Sequence, residues 1–466
     1  MPKVYVLFWF DVEDCTVPQS DDCAKRLCQI LSRHGATGTM KLVGQKARML
    51  EQRVRYDVID ALQGHDIGFH ANWHGLRPQI AEYLAPLGMA EGAAEFERRE
   101  GPGLEDVRRI LDRPVVTYGQ PGSNWAPQVF SVLRQWGIPT YVSGFGYIGL
   151  DCQPFYLGGI LCTSHMYGRR SSGEEQRHLM GLNFELGAPG ELEKHQALFA
   201  RSREQLADTG GLISILNHPC TLVLEEWFST YMKPRELTEA GYRHFEDFVQ
   251  WALGFDNTEA IGAARLPELY PDRAIGKSFT APELLQIAEA LSEEINYVRV
   301  GDVTLSAAEA FRLLLEAFAA YVGRWALPGQ VPYVWTDGPA LPPPDGAEEL
   351  DVPWEEFRRN VRRVVQQVRE SGAVPTHIQF SQSAVTPAAY LAAVARFLSH
   401  VLRGESPPAS AHIGPTPCRF EDTVDRAAAE AATGGAMAPP GGIVTNNLYE
   451  LARLLAWTVK PAVLQP

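Results

Sequence analysis

The chain has 466 residues, 45% of them hydrophobic and 21% charged, with a formal net charge of -14. That length exceeds one ordinary core and predicts two or three domains of a soluble globular protein. The acidic balance argues against a nucleic-acid partner or an anionic membrane surface, since both require a basic face.

In chain order, Val4 to Phe10 reads as a buried strand. It follows a single Lys, with neither the long apolar region nor the small-residue cleavage site of a signal peptide, so a cytoplasmic location is expected. No stretch reaches the length of a membrane span. Asp21 to His34 reads as a helix, with Leu27, Ile30 and Leu31 at helical spacing. Gly38 to Val43 is a second strand, Val54 to Gln63 a helix stopped by Gly64, and Asp66 to His70 a third strand. Leu104 to Leu111 is a helix and Val115 to Tyr118 a strand. Pro127 to Trp136 is a helix, with Ser123 and Asn124 as candidate caps. Ile138 to Val142 and Leu212 to Leu216 are strands, the last bounded by Gly211 and Pro219.

Alternating strands and helices predict parallel strands with crossover helices, as a (β/α) barrel or an open doubly wound sheet. In a barrel, chemistry sits at the C-terminal strand ends. Asp11, His70, Gln120 and His218 all fall at or just after such ends.

The second half differs. Asn296 to Phe311 can be laid over Thr376 to Leu391 at an offset of 80 residues, as from Val298 to Ile378. Two related repeats, about 278–345 and 352–418, are therefore expected within an accessory α+β domain. Pro342 to Ala347 reads as the linker between them, and Ser406 to Pro417 and Gly434 to Gly442 as small-residue loops. Seven cysteines at irregular spacing form no CxxC pair and no disulfide framework.

Three local patterns carry chemistry. His70 and His74 stand four apart, which places both imidazoles on one face if the chain turns helical after the strand. Phe10-Asp11-Val12-Glu13-Asp14 crowds three carboxylates after an apolar run. On an extended chain Asp11 and Glu13 point the same way, and a divalent cation would relieve their repulsion. His218 ends the strand-like Ile215-Leu216-Asn217-His218-Pro219 and suits a general acid.

Together these patterns resemble the polysaccharide deacetylase family (NodB homology, carbohydrate esterase family 4). Phe10 to Asp14 resembles its acidic motif, Gly64 to His74 its GHEIGxHxxxH motif, and Leu216 to Pro219 its LxHP motif. The resemblance covers about residues 1–265. It implies a deformed (β/α) barrel of about seven strands there, with residues 266–466 as the accessory domain. It further implies a hydrolase that removes N-acetyl or O-acetyl groups from a carbohydrate. One divalent metal, zinc before cobalt, nickel or iron, would be held by His70, His74 and Glu13 or Asp14. Asp11 would act as base, His218 as acid, and the Gly122 backbone N–H as oxyanion donor. Trp73, Gln120 and Trp125 are expected at the substrate. Tyr118-Gly119-Gln120-Pro121-Gly122 departs from the family pattern, because Gly119 stands where the family carries the Arg that holds the catalytic Asp. Either another basic side chain substitutes, or the chain is an outlying member. The alternatives are an intracellular amidohydrolase on a small amide, imide or ureide, and an inactive carbohydrate-binding homologue. Homodimers are the commonest soluble oligomers, and a homo-oligomer is expected on that ground.

Overall fold

The computed structural model describes residues 2–150, 152–164, 178–227, 229–324, 326–343, 349–406, 408–426 and 445–465. The first half alternates β1 (Val4–Val12), α1 (Gln19–Arg33), β2 (Thr39–Leu42), α2 (Gly44–Gln52), α3 (Tyr56–Gln63), β3 (Asp66–Phe69), α4 (Ile80–Leu84), α5 (Met89–Leu111), β4 (Val115–Tyr118), α6 (Val129–Gln135) and β5 (Thr140–Tyr141). A hairpin of β6 (Phe155–Leu157) and β7 (Ile160–Cys162) follows, then β8 (Leu179–Gly181), α7 (Glu191–Gln205), β9 (Gly211–Asn217), α8 (Arg235–Leu253), β10 (Thr258–Ile261) and α9 (Leu266–Leu269).

β1 is a nearly unbroken apolar run, VYVLFWFDV, buried along its length. Such a strand belongs at the centre of a parallel sheet covered by helices. It pairs in parallel with β9 on one side, and on the other with β10 along its first half and β2 along its second. The sheet continues β2-β3-β4-β5-β7, all parallel, and β9 carries β8 at its far edge. It curls into the deformed (β/α) barrel, and period two divides β1 between two cores. Val4, Val6, Phe8, Phe10 and Val12 face the helices. Leu7 and Trp9 face an inner cluster with Val142, Leu161, Leu179 and Leu212. Trp9 Nε1 donates to Ser214 Oγ at 2.8 Å, which satisfies its one polar atom inside that cluster. Outside, α1 buries Leu27 and Leu31 completely, each contributing about 1.5–3 kcal/mol of burial.

Several local expectations change. α2 was not anticipated, because GQKARMLEQ carries only Ala47 and Leu50 as buried apolar residues. α5 starts at Met89 rather than Leu104 and contains Pro102. Ser123 and Asn124 do not cap α6, whose N-cap is Gln128. The Asn124 side chain instead accepts from Ala81 N and donates to Gln79 Oε1.

The second half holds the same order of elements twice. β11 (Ser278–Thr280), α10 (Ala281–Ala290), β12 (Val298–Val300), β13 (Val303–Leu305), α11 (Ala307–Arg324) and β14 (Gln330–Pro332) come first. β15 (Leu350–Pro353), α12 (Trp354–Ser371), β16 (Ile378–Gln379), β17 (Ala384–Val385), α13 (Pro387–Leu402) and β18 (Ser410–Ile413) follow. Val298 pairs with Leu305 in the first hairpin and Ile378 with Val385 in the second. α10 packs on α13 and α11 on α12. Ser406 to Pro417 is not simply a loop, since β18 lies inside it and pairs with β15. Residues 344–347 of the expected linker and the 434–442 loop lie outside the described residues.

The end of the chain leaves this region. After α14 (Thr445–Leu455), β19 (Lys460–Pro461) pairs with β6 at the edge of the barrel sheet. The last strand of residues 266–466 thus lies in the barrel sheet. The Lys460 ammonium is buried between Asp272, at 2.8 and 2.9 Å, and Glu309, at 2.9 Å, and Tyr333 donates to Glu309 at 2.6 Å. Among the described residues no helix is long and apolar enough to cross a membrane. Lys460→Met leaves two buried carboxylates without their cation. It is expected to lower stability by about 3–5 kcal/mol, measured by urea unfolding, and an unchanged midpoint counts against the clamp.

Candidate active site

Asp11 closes β1, Glu13 follows it, His70 follows β3, Gln120 follows β4 and His218 follows β9. The structure brings Asp11, Glu13, His70, His74 and His218 together, and Gln120 is not in that cluster. His70 and His74 do not lie on a helix. A bend follows β3, starting at Ala71 in the left-handed region with φ 83°. Gly44 N and Gln45 N donate to the carbonyls of Ala71 and Asn72, and Glu100 accepts from Asn72 N at 2.6 Å. Held this way, the two imidazoles stack with centroids 5.7 Å apart.

Both histidines meet one atom. His70 Nε2 and His74 Nε2 each lie 3.0 Å from Glu13 Oε2. Burial works against the charged carboxylate, but the imidazoles of His74, His218 and His70 outweigh it and hold Glu13 well below the usual range. Burial likewise opposes the imidazolium of His74, and Glu13 reverses this, so the His74 pKa is raised. Asp14 turns away and accepts from Thr16 N and Val17 N. Of the two carboxylates left open by the sequence, Glu13 is the one brought to the histidines.

The donor set fits a divalent metal. His70 Nδ1 lies 2.6 Å from the Gly119 carbonyl, which can only accept, so Nδ1 carries the hydrogen. In the neutral ring Nε2 is then a lone pair aimed at a carboxylate oxygen. Two acceptors at that distance repel unless a cation lies between or beside them. The ligand atoms of Glu13, His70 and His74 all lie within 4.8 Å of one another, as do those of Asp11, Glu13 and His218. Two imidazoles and one carboxylate suit zinc, with room left for cobalt, nickel or iron.

Asp11 Oδ2 lies 3.5 Å from His218 Nε2. His218 Nδ1 lies 2.9 Å from Asn183 Oδ1, which also accepts from the His218 backbone N–H. Trp227 stands edge-on to the His218 ring at 4.6 Å, and Leu224 and Cys220 line the same small pocket beside Glu13 and His74. Burial pushes the His218 pKa down. Asp11 Oδ1 lies 2.9 Å from Lys41 Nζ. Asn183, Trp227 and Lys41 were all missed. Lys41 carried one available signal, a lone charge in a strand otherwise reading as buried.

Two expected substrate contacts are corrected. Trp125 is 1% exposed and packs against Phe130 and Tyr147 as core. Gln120 is buried and engaged, donating to the carbonyls of Gly122 and Phe145 and accepting from Tyr141 OH. It ties the loops together and has no free face. Trp73 is 47% exposed, lies under the Arg48 guanidinium and borders a larger cleft with Pro121 and Asn124. Gly122 has φ 48° and lies in the turn after Gln120.

Neither a protein-family model nor a curated protein sequence matches the chain. Solved structures are similar at low identity. One is a Mycobacterium smegmatis protein assigned as a polysaccharide deacetylase, at 16% identity and TM-score 0.39 over 57% of this chain and 90% of that one. Another, from Pseudomonas aeruginosa with the same assignment, has 13% identity and TM-score 0.37 over 56% and 90%. A 4-alpha-glucanotransferase from Thermococcus litoralis has 12% identity and TM-score 0.40 over 86% of this chain and 56% of that one. The chemistry is therefore read from the residues themselves.

The geometry separates the two acidic candidates. Glu13→Gln and His74→Ala are each expected to abolish tight zinc binding in calorimetric titration. Asp14→Ala is expected to keep it, at a stability loss of about 1 kcal/mol for its two turn hydrogen bonds. Zinc affinity lost in the Asp14 variant and kept in the Glu13 variant is the reverse assignment.

Proposed function

We propose that the chain is a metal-dependent hydrolase that removes N-acetyl or O-acetyl groups from a carbohydrate. The observation that carries this reading is the meeting of two triads at Glu13: Glu13 with His70 and His74, and Glu13 with Asp11 and His218. The candidate metal ligands and the candidate acid–base pair thus share one cluster, in which Asp11 Oδ1 also lies 3.6 Å from His70 Nδ1.

A divalent metal held by Glu13, His70 and His74 would supply Lewis acidity and a water of lowered pKa. Asp11 Oδ2 faces into the cluster and takes the proton of the attacking water as general base. His218, turned by Asn183 so that Nε2 faces Asp11 at 3.5 Å, receives at Nε2 the proton that Asp11 takes from the water and passes it to the leaving amine or alcohol. The Gly119 carbonyl keeps the His70 ring in one tautomer and orientation. The turn at Gly122 offers its backbone N–H to the developing oxyanion, as the family resemblance implies. Leu224, Cys220 and Trp227 form an apolar wall beside the cluster, suited to a small acyl methyl.

Acetate release from N-acetylglucosamine oligomers, acetylated xylan and simple amides tests the reading. Turnover is expected to disappear on chelation and return with zinc or cobalt. One bound metal without turnover of any amide or ester would leave a carbohydrate-binding protein; turnover of small amides alone would leave the amidohydrolase. Asp11→Asn is expected to lower kcat by about 10²–10⁴-fold with metal affinity retained, measured by steady-state kinetics beside elemental analysis.

A further inference from the structure

We propose that Lys41 is the positioning residue for Asp11, reaching it from the neighbouring strand β2. This rests on the hydrolase reading above for its catalytic meaning, and on geometry for the pair itself.

Lys41 is directly opposite Asp11 in the β1–β2 register. Only 1% of its side chain is exposed. Its ammonium has a partner on each side. Asp11 Oδ1 lies at 2.9 Å and the Val142 carbonyl at 3.0 Å, and the Trp9 ring lies beneath it at 4.1 Å. Trp9 is itself fixed by its bond to Ser214. A buried ammonium without such partners carries a penalty of several kcal/mol, and burial does lower the Lys41 pKa, against the pull of Asp11. Replacing a buried ion pair by apolar groups is often neutral or stabilising, so fold alone gives little reason to keep a lysine here.

The pair makes the two oxygens of Asp11 unequal. Oδ1 forms an ion pair with Lys41 at 2.9 Å and lies 3.6 Å from His70 Nδ1, and Oδ2 faces His218. A base needs one oxygen anchored and the other aimed, and this arrangement supplies both.

The path of the lysine runs past two glycines. A Cβ at Gly68 would lie 2.6 Å from both Lys41 Cγ and Thr117 Cγ2, and a Cβ at Gly119 would fall first on the Val142 carbonyl and then on Lys41 Nζ. The Val142 carbonyl by itself closes position 119 to a side chain, and the lysine occupies the space beside it. The basic group that the family resemblance leads one to seek at position 119 comes in this chain from the neighbouring side of the barrel.

The test compares zinc-loaded wild type, Lys41→Met, Asp11→Asn and the double variant. Lys41→Met is expected to bind one zinc, to keep KM, and to lose about 10- to 100-fold in kcat. Unchanged kcat overturns the proposal, and so does loss of zinc in step with activity. Thermal melting supplies a readout that needs no turnover. Each single variant strands one buried charge, so the double variant is expected to melt higher than the sum of the single shifts predicts. Additive shifts overturn the pair. A wild type that hydrolyses no amide or ester defeats the hydrolase reading, and the melting cycle then decides the pairing of Lys41 with Asp11. If Lys41→Met does not fold, recovery of folding in the double variant supports the pair and failure to recover overturns it.

Discussion

Burying several ionisable side chains at one end of a barrel is possible only if each finds a compensating partner, and that constraint organises the site. Asp11, Glu13 and His70 are nearly withdrawn from water, the His74 side chain with them, and the His218 side chain keeps 15% of its surface exposed. Isolated charges in such surroundings would neutralise. Here they are distributed: Lys41 faces Asp11, and Glu13 faces two imidazoles. The Gly119 carbonyl fixes the His70 hydrogen on Nδ1. That leaves His70 Nε2 facing Glu13 Oε2 at 3.0 Å, a contact that a proton or a divalent cation would make attractive.

The second half braces the loops that carry this arrangement. Ile148 bridges to Val424, and Asp425 N donates to the Tyr147 carbonyl, so the segment before α14 pairs with the loop that follows β5. That loop is the one Gln120 ties to the turn at Gly122. Asn447 on α14 donates to the carbonyls of Ala85 and Leu87 at the end of α4, and α4 borders the cleft that contains Trp73. Arg134 on α6 pairs with Asp337, in the segment after β14. The accessory elements thus reach the site through backbone and side-chain contacts to its walls, and among the described residues none of them contributes a group to the cluster.

What the sequence made legible was periodic or motif-bound. β1 declared itself as an unbroken apolar run, and His70, His74 and His218 stood out against strand ends. What stayed hidden depended on exposure and on long-range partners. Gln120 and Trp125 occupy strand-end or loop positions that look open in sequence, yet tertiary packing buries them. Lys41 belongs to no motif, and only the register with Asp11 reveals its purpose. The helix assumed between His70 and His74 was a default for four-residue spacing, and a bend anchored by Gly44, Gln45 and Glu100 reaches the same result.

The choice between Glu13 and Asp14 follows from the same periodicity that built the core. Along β1 the inward series runs Leu7, Trp9, Asp11, and the next member is Glu13. Asp14 falls out of phase by one residue, where the strand has ended and the chain turns toward α1, so its carboxylate meets the free amides of Thr16 and Val17 instead. Two adjacent acids of nearly equal chemistry are thereby given different tasks. A shift of one residue at the end of β1 would exchange them and move Asp11 away from Lys41 at the same time. The placement of Glu13 against the two imidazoles and of Asp11 against Lys41 and His218 is thus set by one strand register.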